Sequence, residues 1–255
     1  MLAKERQDAI FVMVSKDGAV TTGKLMEQFN VSIETVRRDL LVLEKAGRIT
    51  RVHGGAVAAG QMQPVMALHQ RNQARSEEKQ ELSETAIAFV SEGDIVAVDS
   101  GSTAILFAQA LKEHFSNLTV VTHCRDVFEL LCDHREFTVI LCSGHYLRSE
   151  RAFYGTLTLD TLQKLHVQKV FLCPSAVSLE FGICDYQPEL CLVQKQLIAA
   201  AEKVFVLADS SKFEKKALLQ LASMKKEYTY ITDRKLPEEI RKLYAENGIQ
   251  IIKGD

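Results

Sequence analysis

The chain has 255 residues, of which 47% are hydrophobic and 25% are charged, and its formal net charge is −2. These values are ordinary for a soluble globular protein and exclude a disordered, collagen-like or coiled-coil chain. The length indicates one large domain or two unequal ones, and the small net charge excludes a uniformly basic nucleic-acid binder.

The charge is unevenly distributed along the chain. Residues 1–57 carry nine Lys or Arg and seven Asp or Glu, whereas the remaining residues carry 22 and 26. A small basic region in front of an acidic one indicates two separate roles. We therefore predict a head (1–57), a small, polar, proline-containing linker (58–75) and a body (76–255).

The apolar stretches and the cysteines bear on location and redox state. No stretch approaches the ~18 apolar residues of a membrane span, and no signal peptide is evident, so we expect a cytoplasmic protein. The six cysteines all lie in the body and lack the paired spacing of a zinc site. Several lie in apolar runs, so we expect buried, reduced thiols, and we predict neither a metal nor a cofactor.

The head begins with three predicted helices. Apolar residues at helical spacing predict helices over 4–16, 22–29 and 33–45, followed by an extended basic stretch over 48–57 with a Gly-Gly tip. A tight turn separates the second helix from the third, which Ser32 is suited to cap. The residues predicted to form the buried face of the third helix are Ile33, Val36, Leu40 and Leu43.

This layout is typical of a winged helix-turn-helix. The third helix turns polar residues outward in its N-terminal half, the part of a recognition helix that enters the major groove. Arginine binds guanine or phosphate, and serine and threonine serve either. The predicted DNA contacts are Ser32, Glu34, Thr35, Arg37 and Arg38 on the helix and Arg48, Arg51 and His53 on the hairpin. A protein-docking module is the alternative, but the tight turn and the basic hairpin occurring together favour DNA.

Three motifs of the head closely resemble the DeoR family of sugar-operon repressors. They are Val31-Ser-Ile-Glu-Thr-Val-Arg-Arg-Asp-Leu40, Leu43-Glu-Lys-Ala-Gly47 and Arg51-Val-His-Gly-Gly-Ala56. The Thr-Val-Arg-Arg-Asp-Leu core and the His-Gly-Gly of the hairpin stand at the separation typical of that family. The resemblance implies that the head binds operator DNA.

The body alternates short β-rich runs with helical stretches, which is typical of an α/β domain with a mostly parallel sheet. The predicted strands are 95–98, 118–122, 137–141, 170–173, 204–208, 228–232 and 249–252. The predicted helices are 76–90, 103–112, 126–132, 156–165, 189–201, 215–223 and 237–246.

Polar residues follow several of these strands. The stretch 99–103 comes after a strand and opens a helix, where backbone N–H groups and partial positive charge favour an anion. Because ligands of open α/β sheets bind at the carboxyl ends of the strands, we expect one crevice there. The predicted ligand contacts are Asp99, Ser100, Gly101, Ser102, Thr103, His123, Ser143, Gly144, Ser175, Asp209 and Lys212. Lys212 would attract phosphate, and the two aspartates would orient hydroxyls; each alone is also compatible with a solvated loop.

Four motifs of the body resemble the effector domain of the DeoR family, which is related to the folds of ribose-5-phosphate isomerase and glucosamine-6-phosphate deaminase. They are Val98-Asp-Ser-Gly-Ser-Thr103, Val120-Val-Thr122, Leu207-Ala-Asp-Ser-Ser-Lys212 and Ile231-Thr-Asp233. The resemblance spans about residues 4–255 and implies a phosphorylated-sugar effector. The chain departs from the family pattern at His123-Cys124, Ser143-Gly144, Gln168 and Cys173-Pro174. These positions line or adjoin the predicted pocket and leave the identity of the sugar open.

Two functions of different classes are compatible with these features. The first is a sequence-specific DNA-binding regulator, a repressor of a sugar-metabolism operon controlled by a phosphorylated sugar. The second is a sugar-phosphate isomerase or deaminase with an added DNA-binding head; an interaction scaffold has no feature in its favour. The related isomerases carry an Asp-Gly-Ala-Asp run where this chain has Pro174-Ser-Ala-Val-Ser178, which lacks a carboxylate. Because isomerisation needs a base beside the substrate carbon, we predict no enzymatic activity.

We also expect a homo-oligomer, a dimer or a tetramer. One head of this size covers too little DNA for a typical specific affinity, and two-fold proteins read paired half-sites. A ligand changes operator affinity only through its different affinities for two states of the protein. We expect the linker and the helix over 76–90 to transmit that difference to the heads.

Overall fold

The computed structural model describes residues 2–17, 19–52, 54–58 and 66–254. In the head, three helices pack against a small antiparallel sheet with the strand order β1-β3-β2. The helices are α1 (Ala3–Asp17), α2 (Thr22–Phe29) and α3 (Ile33–Lys45), and the strands are β1 (Ala19–Thr21), β2 (Ile49–Val52) and β3 (Gly55–Ala58). The predicted winged helix-turn-helix is confirmed.

Capping residues define the turn between α2 and α3. The Thr21 hydroxyl accepts a hydrogen bond from the Lys24 N–H (3.2 Å), and Asn30 ends α2 in the left-handed region at φ 49°. The Ser32 hydroxyl then accepts from the Thr35 N–H (3.4 Å) at the start of α3. Short polar side chains satisfy helix-end N–H groups and tolerate this backbone, so the local sequence is sufficient to place the turn.

The buried face of α3 differs from the prediction at two positions. Val36, Leu40 and Leu43 are buried in the head core, but Ile33 is 38% exposed because it stands at the first residue of the helix, beyond the buried stripe. Asp39 lies on the buried face instead, where it accepts hydrogen bonds from Arg6 (2.5 Å) and Gln7 (2.9 Å). A buried carboxylate with charged and amide partners therefore ties α1 to α3.

The body is built on a seven-stranded sheet in which every neighbouring pair is parallel, with the order β15-β14-β12-β9-β4-β5-β6. The strands are β4 (Ile95–Val98), β5 (Thr119–Thr122), β6 (Thr138–Leu141), β9 (Val167–Leu172), β12 (Ala201–Leu207), β14 (Thr229–Thr232) and β15 (Ile251–Lys253). This confirms the predicted α/β architecture.

Helices cover both faces of this sheet, and each face has its own apolar core. The helices are α5 (Ser76–Ile87), α6 (Ser102–His114), α7 (Arg125–Leu131), α8 (Thr156–Gln163), α9 (Pro188–Ala200) and α10 (Glu238–Glu246). One core contains Leu82 of α5 and Phe107 of α6, and the other contains Leu162 of α8, Leu197 of α9 and Tyr244 of α10. Because both faces of the sheet are buried, the strands are nearly continuous apolar runs in the sequence.

In the described part of the body, five short strands lie outside the large sheet. A hairpin is formed by β7 (His145–Leu147) and β8 (Ala152–Tyr154), and a three-stranded sheet by β10 (Ala176–Ser178), β11 (Gly182–Asp185) and β13 (Leu219–Ala222). The predicted helix over 215–223 is therefore wrong. Leu219 and Gln220 pair with Asp185 and Cys184 of β11, and this long-range pairing overrides the local helical preference.

The predicted linker over 58–75 includes a short helix that packs on the body. Ala58 belongs to β3, residues 59–65 lie outside the described part of the chain, and a short helix α4 (Leu68–Gln73) packs against α6. None of the helices in the described ranges has the length and apolar character to cross a bilayer.

Candidate functional site

The N-terminal half of α3 presents most of the predicted DNA contacts to solvent. Glu34, Arg37 and Arg38 are exposed, Thr35 is half-buried, and Ser32 caps the helix. Arg37 Nη1 lies 2.8 Å from Glu34 Oε1, with both side chains more than 60% exposed. A pair this exposed contributes little to stability, so Arg37 can exchange Glu34 for a phosphate or a base at low cost.

The hairpin arginines interact with the head itself. Arg48 lies 2.7 Å from Asp8 and stacks over the Phe11 ring, with 4.0 Å to the ring centroid. Arg51 lies 3.5 Å from Glu44. His53 lies outside the described residues. That these three residues contact DNA stays a prediction.

In the body, the carboxyl ends of three neighbouring strands open onto one crevice. The residues that follow β4, β9 and β12 meet there because these strands are adjacent in the sheet. One part, which we call the cationic lobe, has Arg71, Arg75, Lys79, Ser102, Thr103, Asp209 and Lys212 among its lining residues. The adjoining part, the amide lobe, includes Ser100, Glu150, Ser175, Asp185, Gln187 and Gln194. Gly101, Arg71 and Lys212 belong to both lobes.

The N-terminus of α6 points at the cationic lobe. Gly101 caps the helix at φ 98°, a backbone conformation that favours glycine, and Ser102 and Thr103 form its first turn. The first N–H groups of a helix have no acceptor within the helix, and the helix dipole places partial positive charge on them. The loop and helix start predicted from the sequence therefore lie where an anion would be stabilised.

Four basic side chains converge on the same lobe. Lys79 is 4% exposed and donates hydrogen bonds to the Arg71 and Ala74 carbonyls, and burial lowers its pKa to about 8. Burial also lowers the pKa of Lys212. Arg71 donates to Glu150, and Arg75 Nε lies 3.9 Å from Asp209 Oδ1. Lys79 is buried, Arg71 and Lys212 are half-buried and Arg75 is exposed. A bound anion would offset the cost of the charge that burial withdraws from water, above all at Lys79.

Asp99 and His123 lie beneath the crevice rather than on its surface. Both are fully buried, with His123 Nε2 3.1 Å from Asp99 Oδ1 and His123 Nδ1 3.0 Å from the Phe153 carbonyl. Asp99 Oδ2 accepts from the Cys173 N–H and from Gln194, each at 3.0 Å. Burial alone would raise the pKa of Asp99, but these hydrogen bonds lower it below its ordinary value. Contrary to the prediction, Asp99 and His123 therefore do not line the crevice. They lie below it, and Asp99 holds Cys173 and Gln194, which do line it.

Buried amides and carboxyl groups characterise the amide lobe. Gln194 Nε2 lies 3.1 Å from Asp185 Oδ2, and Gln187 Nε2 lies 3.1 Å from Glu150 Oε1. Asp185 also accepts from the Ser175 hydroxyl (2.9 Å), and burial, reinforced by the nearby Asp99, raises its pKa. Across the described ranges, no three His, Cys, Asp or Glu side chains are grouped so that they would hold a metal ion.

Ser143 and Gly144 are not part of the crevice, contrary to the prediction. They follow β6, which is an edge strand two positions from β4 in the sheet. The Ser143 carbonyl accepts from the Thr158 hydroxyl (3.1 Å), and a Cβ on Gly144 would lie 2.3 Å from that hydroxyl oxygen. These two residues therefore allow close packing against α8. Of the other predicted contacts, Ser100 to Thr103, Ser175, Asp209 and Lys212 line the crevice.

Three basic residues of the crevice that precede the sheet are absent from the contacts predicted from the sequence. Arg71, Arg75 and Lys79 recur every four residues, and this spacing was an available signal for one cationic face. Gln187 and Gln194 had no comparable signal, because they reach the crevice only through the packing of α9.

Comparisons with known proteins identify both parts of the chain. A DeoR-like helix-turn-helix domain matches residues 6–61, and a DeoR C terminal sensor domain matches residues 74–234. An L-fucose operon activator of Haemophilus influenzae is 29% identical, over 97% of this chain and 98% of its own. A lactose phosphotransferase system repressor of Staphylococcus epidermidis is 31% identical, over 97% and 98%.

Among solved structures, a ribose 5 phosphate isomerase A from Neisseria gonorrhoeae aligns with 55% of this chain and 54% of its own, with a TM-score of 0.42 and 20% identity. The sensor-domain match covers more than half of the chain, and the helix-turn-helix match covers the head. The chain belongs to the DeoR family, and it is a transcriptional regulator with an N-terminal DNA-binding head and a C-terminal sensor body.

Proposed function

We propose that this regulator represses a sugar-metabolism operon and that a phosphorylated sugar, bound in the crevice of the body, controls its affinity for operator DNA. Of the two relatives described above, one is named as an activator of the L-fucose operon and the other as a repressor of the lactose phosphotransferase system. The observation that carries the proposal is the buried Lys79, whose hydrogen bonds run to two backbone carbonyls. Its charge, with Lys212 and the start of α6, favours a phosphate dianion.

The amide lobe beside this anion site favours a sugar rather than inorganic phosphate. Its carboxyl and amide oxygens are hydrogen-bond acceptors, which complement sugar hydroxyls. The phosphate would occupy the cationic lobe and the sugar the amide lobe, so that one ligand fills the whole crevice.

Arg71 offers a route from the crevice to the head. It lies on α4, which begins three residues after the segment 59–65 between head and body. It lines both lobes and donates a hydrogen bond to Glu150. A ligand phosphate competes with Glu150 for this guanidinium, and its binding energy then depends on the position of α4. We expect Arg71→Met to reduce the effect of the ligand on operator affinity more than it reduces ligand affinity.

The functional unit is proposed to be a dimer or a tetramer that binds paired half-sites. A single winged helix buries a small DNA surface, and two-fold symmetry doubles the contact. Light scattering and footprinting test this, and a monomer that protects one half-site would contradict it.

The second candidate function is sugar-phosphate isomerisation. We propose that this chain lacks that activity. The observation in favour of the enzyme is that Asp185 lines the crevice and has a raised pKa, as a general base would. Its carboxylate, however, already accepts from Ser175, Tyr186 and Gln194. Proton NMR of hexose phosphates incubated with the protein in D2O separates the two functions, because an isomerase exchanges the C2 proton.

The main test is a gel-shift titration of the full chain on an operator selected from a random DNA pool, with sugar phosphates and their unphosphorylated forms. We expect at least one sugar phosphate to change operator affinity by roughly 5- to 150-fold, the usual range of allosteric coupling. The unphosphorylated sugar should have no effect. A response to free sugars alone would refute the proposed effector class.

A further inference from the structure

Two buried amide oxygens in the amide lobe have no hydrogen-bond donor among the described residues. Within the described part of the chain, Gln187 Oε1 and Gln194 Oε1 are buried and lack a partner, and the side chains are only 6% and 2% exposed. A buried acceptor without a donor costs free energy, and most native proteins avoid it. Both glutamines line the amide lobe, so a ligand that donates hydrogen bonds there would give these oxygens the partners that they lack.

The orientation of both amides follows from their neighbours. Gln194 Nε2 donates to Asp99 Oδ2 (3.0 Å) and Asp185 Oδ2 (3.1 Å). Gln187 Nε2 donates to Glu150 Oε1 (3.1 Å). A carboxylate only accepts hydrogen bonds, so each amide must turn its nitrogen toward the carboxylate and leave its oxygen free.

The buried carboxyl groups of the lobe also present oxygen atoms, whereas the other buried side chains of its lining, apart from the two glutamines, belong to the apolar Leu190 and the hydroxyl-bearing Ser100 and Tyr186. Glu150 and Asp185 are 5% and 8% exposed. Lys215 lines the lobe but is exposed, and the cations Arg71 and Lys212 are shared with the cationic lobe, where the phosphate is proposed to bind. A carboxylate on the ligand would therefore meet acceptors and negative charge in this lobe, whereas a hydroxyl would meet a partner.

We propose that the amide lobe is a hydroxyl-selective subsite and that Gln187 and Gln194 determine its specificity. It takes the neutral, polyhydroxylated end of a phosphorylated sugar and rejects phosphorylated sugar acids and deoxy analogues. This rests on the proposed control by a sugar phosphate. Sites built to hydrogen-bond a hydroxyl discriminate well against analogues that lack it, because the buried partners are then left unpaired.

Calorimetry on the full chain tests the subsite with inorganic phosphate, the 6-phosphates of sorbitol, mannitol and galactitol, hexyl phosphate and 6-phosphogluconate. We expect at least one hexitol phosphate to bind ~10- to 100-fold more tightly than hexyl phosphate and 6-phosphogluconate. Gln187→Met and Gln194→Met should each reduce this preference, while the affinity for inorganic phosphate stays unchanged.

The outcomes separate this inference from the proposed function. If hexyl phosphate or 6-phosphogluconate binds as tightly as every hexitol phosphate, the hydroxyl-selective subsite is refuted while phosphate control stands. A preference that persists in both variants refutes the roles of the two glutamines. If no phosphorylated compound binds, both proposals fail. If a variant does not fold, the comparison of the ligands on the unsubstituted protein still tests the subsite.

Discussion

The head and the body both carry basic side chains that we propose bind phosphate, but the two regions hold these side chains differently. Arg37 and Arg38 stand exposed on one helix, and their sequence spacing places them on the same surface. Lys79 and Lys212 are 133 residues apart in sequence, and they meet at a sheet edge where burial lowers the pKa of both. An exposed charge can contact a large partner such as DNA. A buried charge is costly without a counter-ion, so a small bound anion is needed to stabilise it fully.

The independence of the two regions can be tested by destabilising the head alone. Asp39→Ala leaves Arg6 without its buried partner, and we expect it to destabilise the head by about 3–5 kcal/mol. Operator binding should be lost while phosphorylated ligands still bind the body. Denaturant unfolding, gel shifts and calorimetry measure the three effects.

A matched control for this change is Asp8→Ala. Asp8 pairs with Arg48 on the surface, where such pairs contribute less than ~1 kcal/mol. If Asp39→Ala lowered ligand affinity in the body as much as operator affinity, the separation of the two regions would be wrong.

The ligand response is expected to depend on the two lysines of the crevice, the buried Lys79 and the half-buried Lys212. Lys212→Ala or Lys79→Met should weaken the binding of phosphorylated ligands by roughly 10- to 100-fold, because a charge-assisted hydrogen bond is lost. Operator affinity should stay unchanged. Gel shifts with and without ligand, and calorimetry, provide the measurements. Lys203→Ala is the control, since Lys203 is exposed near the opposite end of β12. Unchanged ligand affinity in both crevice variants would mean that the phosphate does not bind in this lobe.

The head is expected to show the reverse pattern. Arg37→Ala or Arg38→Ala should cost ~1–3 kcal/mol of operator binding if the arginine contacts a guanine, with folding and ligand binding unchanged. Arg241→Ala is a close control, because Arg241 pairs with Glu238 three residues earlier, as Arg37 pairs with Glu34, but lies on the body. Wild-type gel shifts for both head variants would mean that α3 is not the recognition helix.

The pH dependence should distinguish the two kinds of cation. Burial lowers the pKa of Lys79 to about 8, so above that pH the amine is neutral and ligand binding must also take up a proton. Ligand affinity should fall by up to about tenfold per pH unit above pH 8, while the exposed arginines stay charged. Calorimetry at a series of pH values measures the slope. Lys79→Arg should reduce it, and an equal slope in that variant would contradict the assignment.

Most of the fold could be predicted from periodicity and capping. The head helices and the strands of the large sheet appear where apolar spacing places them, because each depends on contacts within a few residues or on a continuous apolar run. The predicted helix over 215–223 failed because β13 exists only through its pairing with β11. Local preference cannot reveal a partner that lies more than 30 residues away.

The same distinction between local and long-range determinants applies to the candidate site. The sequence by itself determined the exposed face of α3 and the glycine-capped start of α6, since capping, helical spacing and a glycine are local properties. Only the tertiary structure decided that Lys79 and Gln194 enter the crevice, that Asp99 and His123 lie beneath it, and that Ser143 is excluded. The physical reason is strand order: which loops share a sheet edge depends on the pairing of distant strands, and no short stretch of sequence specifies that pairing.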